Sequence, residues 1–280
     1  MLFMNSILKT GSMSSDKPYW HKQTTEQPLF PDLLWSRPEN RNQAGKLLIV
    51  GGNAHGFAAA AEAYTAAETA GVGTARVLLP DSLQKTVGKV FAAGEYAPST
   101  PSGSFSQKAL AEVLAMANWA DSLLLAGDFG RNSETAVVLE QLLGKYTDQL
   151  TLTKDAVDYF AKTPELLLTR ENTLLVVSFA QLQKLALGIR FTTAFMFNMD
   201  FLRLIEALHN FTEKYQAAII TQHLDTIFVA VNGQVSTTKL PEERPIWRVK
   251  TAASASVWWL QNPAKPFEAL TAAALAKEAA

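Results

Sequence analysis

Few residues of this sequence have the types and spacing that chemistry requires. Cysteine is absent, which excludes disulfides, thiolate metal sites and a cysteine nucleophile. The histidines show neither HExxH nor another metal-ligand spacing, so we predict no metal site and assign solvated or core-edge positions to His21, His55, His209 and His223. Ser254 and Ser256 lack the GxSxG pattern of a hydrolase nucleophile. A hydrolase is therefore not predicted.

A glycine turn follows the apolar run at residues 46–50. Gly51 and Gly52 end this run, and an alanine-rich helical stretch begins a few residues later. Such turns occur throughout α/β proteins for backbone reasons alone. They are also where open α/β sheets bind ligands, and the following helix N-terminus favours anionic groups. On this second interpretation Gly52, Asn53 and His55 face a pocket, although the spacing matches neither GxGxxG nor a P-loop.

The elements that position this turn alternate between strand and helix. Apolar strands at residues 46–52, 74–80 and 121–127 alternate with amphipathic helical stretches, and either 166–171 or 173–178 supplies a later strand. Asn232-Gly233 between two alternating runs predicts an antiparallel hairpin. We therefore predict an α/β fold: a doubly wound, mostly parallel sheet with helices on both faces and an antiparallel hairpin at one edge.

Length and composition suggest one large domain. The chain has 280 residues, of which 48% are hydrophobic, enough for a single sizeable core. Residues 1–44 lack clean periodicity and are predicted to form an extended N-terminal arm. Residues 45–280 are predicted to form the domain.

The net charge of the chain indicates which classes of partner it is expected to bind. The formal net charge is −1 and the basic residues are scattered, so neither nucleic acid nor a membrane surface is an expected partner. No stretch reaches transmembrane length. We expect a cytoplasmic protein whose partner is a small molecule such as a nucleotide, or that has no ligand. Homo-oligomerisation is a further option.

The segment at residues 45–83 resembles the opening of the ribokinase-like NAD(P)H-hydrate dehydratases. The shared features are a strand ending in two glycines, an alanine-rich helix and the turn Ala70-Gly71-Val72-Gly73. The order of later elements extends the resemblance to about residue 261. It implies a ribokinase-like fold and an enzyme that removes water from hydrated NADH or NADPH, a carbon–oxygen lyase reaction driven by ADP or ATP.

Two further motifs of that family match in part. Its Gly-Pro-Gly-Leu-Gly stretch, which approaches the substrate, corresponds to the residues around Gly127, Asp128, Gly130 and Arg131. Asp128 is alternatively a helix N-terminal turn residue, and Arg131 either pairs with a phosphate or is solvated. The family's Asp-Ala-Asp-Ala-Leu stretch keeps only its second acid, Asp155, which remains a catalytic candidate.

The motifs that the resemblance assigns to the nucleotide and to catalysis are altered. The family's Leu-Lys-Gly becomes Thr221-Gln222-His223, which removes the lysine. Its Gly-Gly-Ser/Thr-Gly-Asp-Val stretch, an anion hole with the catalytic aspartate, aligns with residues 252–257. Ala253, Ser254 and Ala255 then occupy the nucleotide-binding positions, and Ser256 replaces the aspartate. A serine without an activating base does not act as a general base near neutral pH.

Three hypotheses follow. The chain is a catalytically impaired relative of these dehydratases, or a working enzyme that uses Asp155 with ADP or ATP. The third possibility is a scaffold whose former active face binds another protein through Trp247, Trp258 and Trp259. The alignment also predicts that the Gly51-Gly52 turn, residues 127–131 and residues 252–256 converge on one edge of the sheet.

Overall fold

The computed structural model describes residues 17–239 and 247–275, and its centre is a ten-stranded sheet. Residues 1–16 of the predicted arm and the last five residues of the chain lie outside the described residues. The strands are β1 (Trp20–Gln23), β2 (Lys46–Gly51), β3 (Thr74–Pro80), β4 (Gly94–Ala97), β5 (Ser122–Gly127), β6 (Gln149–Thr153), β7 (Thr173–Ser178), β8 (Ala218–His223), β9 (Thr226–Val231) and β10 (Gln234–Lys239). Of the two sequence alternatives for β7, the segment TLLVVS is the strand, whereas residues 165–168 are helical.

The helices connect the strands and cover the sheet. They are α1 (Pro31–Trp35), α2 (Ala58–Thr69), α3 (Gln84–Val87), α4 (Leu110–Ala117), α5 (Ser133–Lys145), α6 (Asp155–Asp158), α7 (Glu165–Leu168), α8 (Phe179–Gly188), α9 (Phe201–Lys214), α10 (Trp247–Gln261) and α11 (Pro266–Ala273). Short 3₁₀ turns occupy Arg41–Gln43, Asp81–Leu83 and Gln107–Ala109.

The strand order is β1-β10-β9-β8-β7-β6-β5-β2-β3-β4. Every neighbouring pair is parallel except the two pairs made by β9, which is antiparallel to β8 and to β10. Asn232 and Gly233 both have positive φ at the β9–β10 turn, as the predicted hairpin requires. The chain builds outward from β2 to β4 and then returns to β5 on the other side of β2. The direction of winding therefore reverses between β2 and β5.

Two hydrophobic cores, one on each face of the sheet, hold the layers together. Alternate strand residues point to opposite faces, so Leu48 and Leu123 pack with α4 to α9, while Leu47 and Leu124 pack with α2, α10 and α11. The predicted doubly wound fold with helices on both faces is confirmed.

Part of the predicted arm belongs to the sheet. Residues 20–23 form β1, which pairs in parallel with β10 and lies outside the hairpin. Buried Gln23 donates hydrogen bonds to the Thr238 hydroxyl at 3.0 Å and the Thr271 carbonyl at 2.8 Å. The sequence did not predict this pairing, because a four-residue strand is too short to show an alternating pattern.

Helix α10 crosses one face of the sheet from the carboxyl edge to the amino edge. Near its start, Arg248 donates a 2.9 Å hydrogen bond to Gln181 in the first turn of α8, directly after β7 ends. At its end, Gln261 donates to the carbonyls of Ala44 and Gly71, which precede β2 and β3. Residues 252–256 therefore lie in the interior of the helix and not at its N-terminus.

Candidate functional site

The carboxyl ends of β2 and β5 lie side by side where the winding reverses. The Gly52 N–H donates to the Gly127 carbonyl at 3.0 Å, and α2 and α5 leave these strands toward opposite faces of the sheet. This is the place where open α/β sheets bind ligands. A Cβ on Gly51 would lie 2.5 Å from the Gly127 carbonyl oxygen, so the close approach of the two turns requires glycine. Both interpretations of the turn, as backbone necessity and as ligand position, are compatible with this geometry.

Asn53 joins the two turns. Its side-chain amide donates to the Asp128 carbonyl at 2.6 Å, and its Oδ1 accepts a 2.7 Å bond from the His55 N–H. The His55 side chain is exposed, as is Arg131. Within the part of the chain that the structure describes, neither side chain contacts another polar group. Both interpretations of Arg131, as a solvated residue and as a phosphate partner, are compatible with this exposure.

Asp128 does not cap the helix that follows it, because Asn132 caps α5. The Asp128 carboxylate reaches the other helix of the site: Oδ2 accepts a 2.8 Å hydrogen bond from the Ala59 N–H in the first turn of α2. Its Oδ1 lies 2.6 Å from Nζ of Lys154. Asp128 is therefore not an N-terminal turn residue of α5, and the helical N–H that it binds belongs to Ala59, 69 positions away in sequence.

Asp155 begins α6, directly after β6, and faces the same edge. Its Oδ2 accepts a 3.1 Å hydrogen bond from the Gly130 N–H, and its buried Oδ1 has no partner among the described residues. Burial raises the pKa of the Asp155 carboxyl, while the bond from Gly130 acts in the opposite direction. Tyr159, one helical turn later, donates to the Gly130 carbonyl at 2.7 Å. The turn at residues 127–130 is therefore held from both sides.

Three residues at this edge were not predicted from the sequence, namely Lys154, Tyr159 and Arg248. Lys154 immediately precedes Asp155, and Tyr159 follows it at the i+4 spacing that places two side chains on one helix face. Those spacings were the available signals. No comparable local signal exists for Arg248, which reaches the edge only because α10 crosses the sheet.

Comparison with solved structures identifies the architecture. A ribokinase-like superfamily protein from Enterococcus faecalis superposes with a TM-score of 0.68 at 14% identity, covering 92% of this chain and 86% of that chain. A hypothetical protein from Streptococcus mutans gives 0.65 at 13% identity, with coverages of 85% and 83%. The fold is ribokinase-like. This confirms the fold that the sequence resemblance implies.

The same comparison includes an enzyme of the resembled family. The ADP/ATP-dependent NAD(P)H-hydrate dehydratase from Bacillus subtilis, co-crystallised with ATP and Mg²⁺, superposes with a TM-score of 0.56 at 12% identity. The alignment covers 88% of this chain and 86% of that chain. No family model matches the sequence, and no curated protein matches it significantly. At these identities the likeness establishes the ribokinase-like fold and no activity.

The positions expected to bind a nucleotide on this ribokinase-like fold are separated. Gln222 and His223 end β8 at the same carboxyl edge, three strands from β5, which is about 14 Å. His223 is buried between Phe179 and Phe197, at ring distances of 4.7 and 5.0 Å. Burial lowers the pKa of the His223 imidazole, which keeps the ring neutral near pH 7. Neither side chain therefore supplies a fixed positive charge.

Residues 252–256 do not line this edge, and the predicted convergence of three segments is wrong for this one. Ala253 and Ala255 are buried in the core, and the buried Ser254 Oγ lacks a partner within residues 17–239 and 247–275. Ser256 is fully buried, with Oγ 2.8 Å from both the Thr151 Oγ1 and the Ala252 carbonyl. Alanine is the strongest helix former, so the alanines extend α10 through the segment where the family motif has glycines.

The arrangement at this position does not fit a nucleotide phosphate, because interior helical N–H groups are already bonded within α10. Among the described residues, no three His, Asp or Glu side chains form a group that would hold a metal ion. No helix within the described ranges is long and apolar enough to cross a membrane.

Proposed function

We propose that this chain is a divergent, catalytically impaired relative of the ADP/ATP-dependent NAD(P)H-hydrate dehydratases. It binds a small molecule at the crevice between β2 and β5 and does not carry out their reaction. One observation carries the proposal: Ser256, aligned with the family's aspartate, is fully buried in α10 against β6. A side chain in that position cannot exchange a proton with a bound ligand.

The expected loss of rate is large. A positioned general acid or base contributes about two to four powers of ten, and a set of preorganised backbone donors contributes a further two to three. This chain would lack both the general acid or base and the backbone donors, since alanines occupy the aligned glycine positions inside a helix.

Binding of ADP or ATP is also proposed to be weak or absent. Gln222 and His223 stand where the resemblance places a lysine, and neither is charged near pH 7. Two cations at the carboxyl edge are engaged within the chain, whereas Arg131 is exposed there. Lys154 pairs with Asp128, and Arg248 contacts Gln181.

A working enzyme that uses Asp155 is the second candidate, and one observation favours it. The Asp155 carboxyl lies at the ligand edge with one oxygen unpartnered among the described residues and with a raised pKa. A general base works best when its pKa approaches the working pH.

The scaffold hypothesis loses part of its support. Trp258 and Trp259 are 2% and 5% exposed and pack in the core beneath the sheet, so they present no surface to a partner. The Trp247 side chain lies outside what the structure describes. Homo-oligomerisation, a cytoplasmic location and the absence of nucleic-acid and membrane partners remain predictions.

The test is an assay of the purified chain with hydrated NADH or NADPH, with ADP or ATP present, in which regenerated NADH or NADPH is followed by its absorbance. We expect a rate equal to the chain-free control for the wild type and for Asp155→Asn. Turnover by the wild type that falls at least about a hundredfold in Asp155→Asn would overturn the proposal and establish the second candidate. Turnover unaffected by that substitution would overturn both.

A further inference from the structure

The carboxylate of Asp128 lies at the N-terminus of α2. We propose that Asp128 sets the charge selectivity of the β2–β5 crevice: it excludes phosphate and other anions at the Gly51-Gly52 turn, so the ligand group bound there is uncharged. This inference rests on the proposed function in one respect, namely that the crevice is the ligand site.

Two groups that commonly bind anions in α/β proteins are present beside this turn. They are the free backbone N–H groups at the start of the 12-residue helix α2 and the ammonium group of Lys154. Asp128 engages both, through Oδ2 at 2.8 Å from the Ala59 nitrogen and Oδ1 at 2.6 Å from Nζ of Lys154. The carboxylate takes the place that a ligand phosphate would need.

The backbone holds this carboxylate in place. Asp128 has φ +60° and Lys154 has φ +51°, conformations that non-glycine residues adopt at a cost. Asn53 adds a 2.6 Å hydrogen bond to the Asp128 carbonyl. Strain of this kind persists only where the surrounding contacts determine it. The Asp128–Lys154 pair is therefore a fixed part of the site rather than a mobile surface ion pair.

An anion that approached the start of α2 would have to displace the Asp128 carboxylate from the Ala59 N–H and from the Lys154 ammonium. This competition lowers the affinity of the anion by at least about tenfold. The ligand group at this turn is therefore uncharged.

The experiment measures binding of inorganic phosphate and pyrophosphate by calorimetry to three proteins. Asp128→Asn removes the charge and keeps the side-chain shape, a capping oxygen and tolerance of positive φ. Asp158→Asn is the matched control, because Asp158 is an exposed carboxylate on α6 and its loss changes the net charge equally. Phosphate affinity is expected to rise at least about tenfold in Asp128→Asn and to stay unchanged in Asp158→Asn.

Equal phosphate affinity in all three proteins would overturn the inference, as would a rise of the same size in the control. Circular dichroism and a cooperative unfolding transition establish that each variant is folded. Should Asp128→Asn not fold, Asp128→Gly removes the charge at a positive-φ position that glycine accepts. None of these measurements involves turnover, so their outcome is independent of the dehydratase assay.

Discussion

Ser256 illustrates how the surroundings of one side chain decide its role. In sequence it aligns with a catalytic aspartate, but in the structure its hydroxyl lies 2.8 Å from Thr151 Oγ1 and its carbonyl accepts a 3.1 Å hydrogen bond from Gln149. Both partners are in β6, so Ser256 faces the sheet from α10. Asp155, by contrast, shares the ligand edge with Gly127 and Gly130. The charged side chains that meet at this edge are Asp155, Asp128 and Lys154.

Restoring the family's acid by Ser256→Asp is expected to destabilise the protein rather than to activate it. An unpaired carboxylate at a fully buried position costs about 3–5 kcal/mol of unfolding free energy, whereas Ser256→Ala costs about 1 kcal/mol through a lost hydrogen bond. Urea unfolding of the three proteins measures the difference. Wild-type stability in Ser256→Asp would mean that position 256 reaches solvent.

The turns at the ends of β2 and β5 depend on glycine for two physical reasons. Gly127 has φ +108°, which L-residues rarely adopt, and a Cβ there would lie 2.8 Å from the Lys154 Cβ and 2.9 Å from Asp155 Oδ1. Gly144, in α5, has ordinary helical φ, and a Cβ there would meet no atom within 4 Å. The backbone therefore requires glycine at position 127, whereas position 144 has room for a side chain.

This contrast predicts opposite effects of one substitution. Gly127→Ala is expected to lower the unfolding free energy by at least about 2 kcal/mol, because positive φ and steric overlap add. Gly144→Ala is expected to raise it by about 0.5–1 kcal/mol, because alanine favours the helix. Chemical denaturation measures both changes. Equal effects of the two substitutions would contradict the assigned role of Gly127.

One edge of the sheet is formed by β1, which precedes the first long helix in the chain. Trp20 in β1 donates a 3.0 Å hydrogen bond from Nε1 to the Thr237 hydroxyl and packs edge-on against Phe201 at 5.8 Å. β1 covers the outer edge of β10, which would otherwise present unpaired backbone groups to other molecules. Trp35, only fifteen positions later, is 87% exposed.

Trp20 and Trp35, which both precede β2, therefore provide a matched test. Trp20→Ala is expected to cost about 2 kcal/mol and to increase aggregation on heating, since it loosens the edge strand. Trp35→Ala is expected to change stability by no more than about 0.5 kcal/mol. Thermal unfolding with light scattering records both quantities. A Trp20→Ala protein as stable and as soluble as Trp35→Ala would show that β1 does not protect the edge.

Much of the fold was determined by the sequence alone. Strand alternation, the alanine-rich helix α2 and the Asn232-Gly233 turn depend on the preferences of neighbouring residues, so local pattern was sufficient to predict a parallel sheet with a hairpin. Gly52 was singled out by the glycine pair that ends β2, and Gly127 and Gly130 by the family resemblance. All three have positive φ.

Only the tertiary structure decided which polar residues meet. Ser256 and Thr151 are 105 positions apart in sequence, Asp128 and Ala59 are 69 apart, and Asp128 and Lys154 are 26 apart. No local preference encodes such pairs, which arise from the strand order and from the path of α10 across the sheet. The same physics explains the error at residues 252–256: an alignment compares residue types, whereas the position of a helix terminus follows from packing.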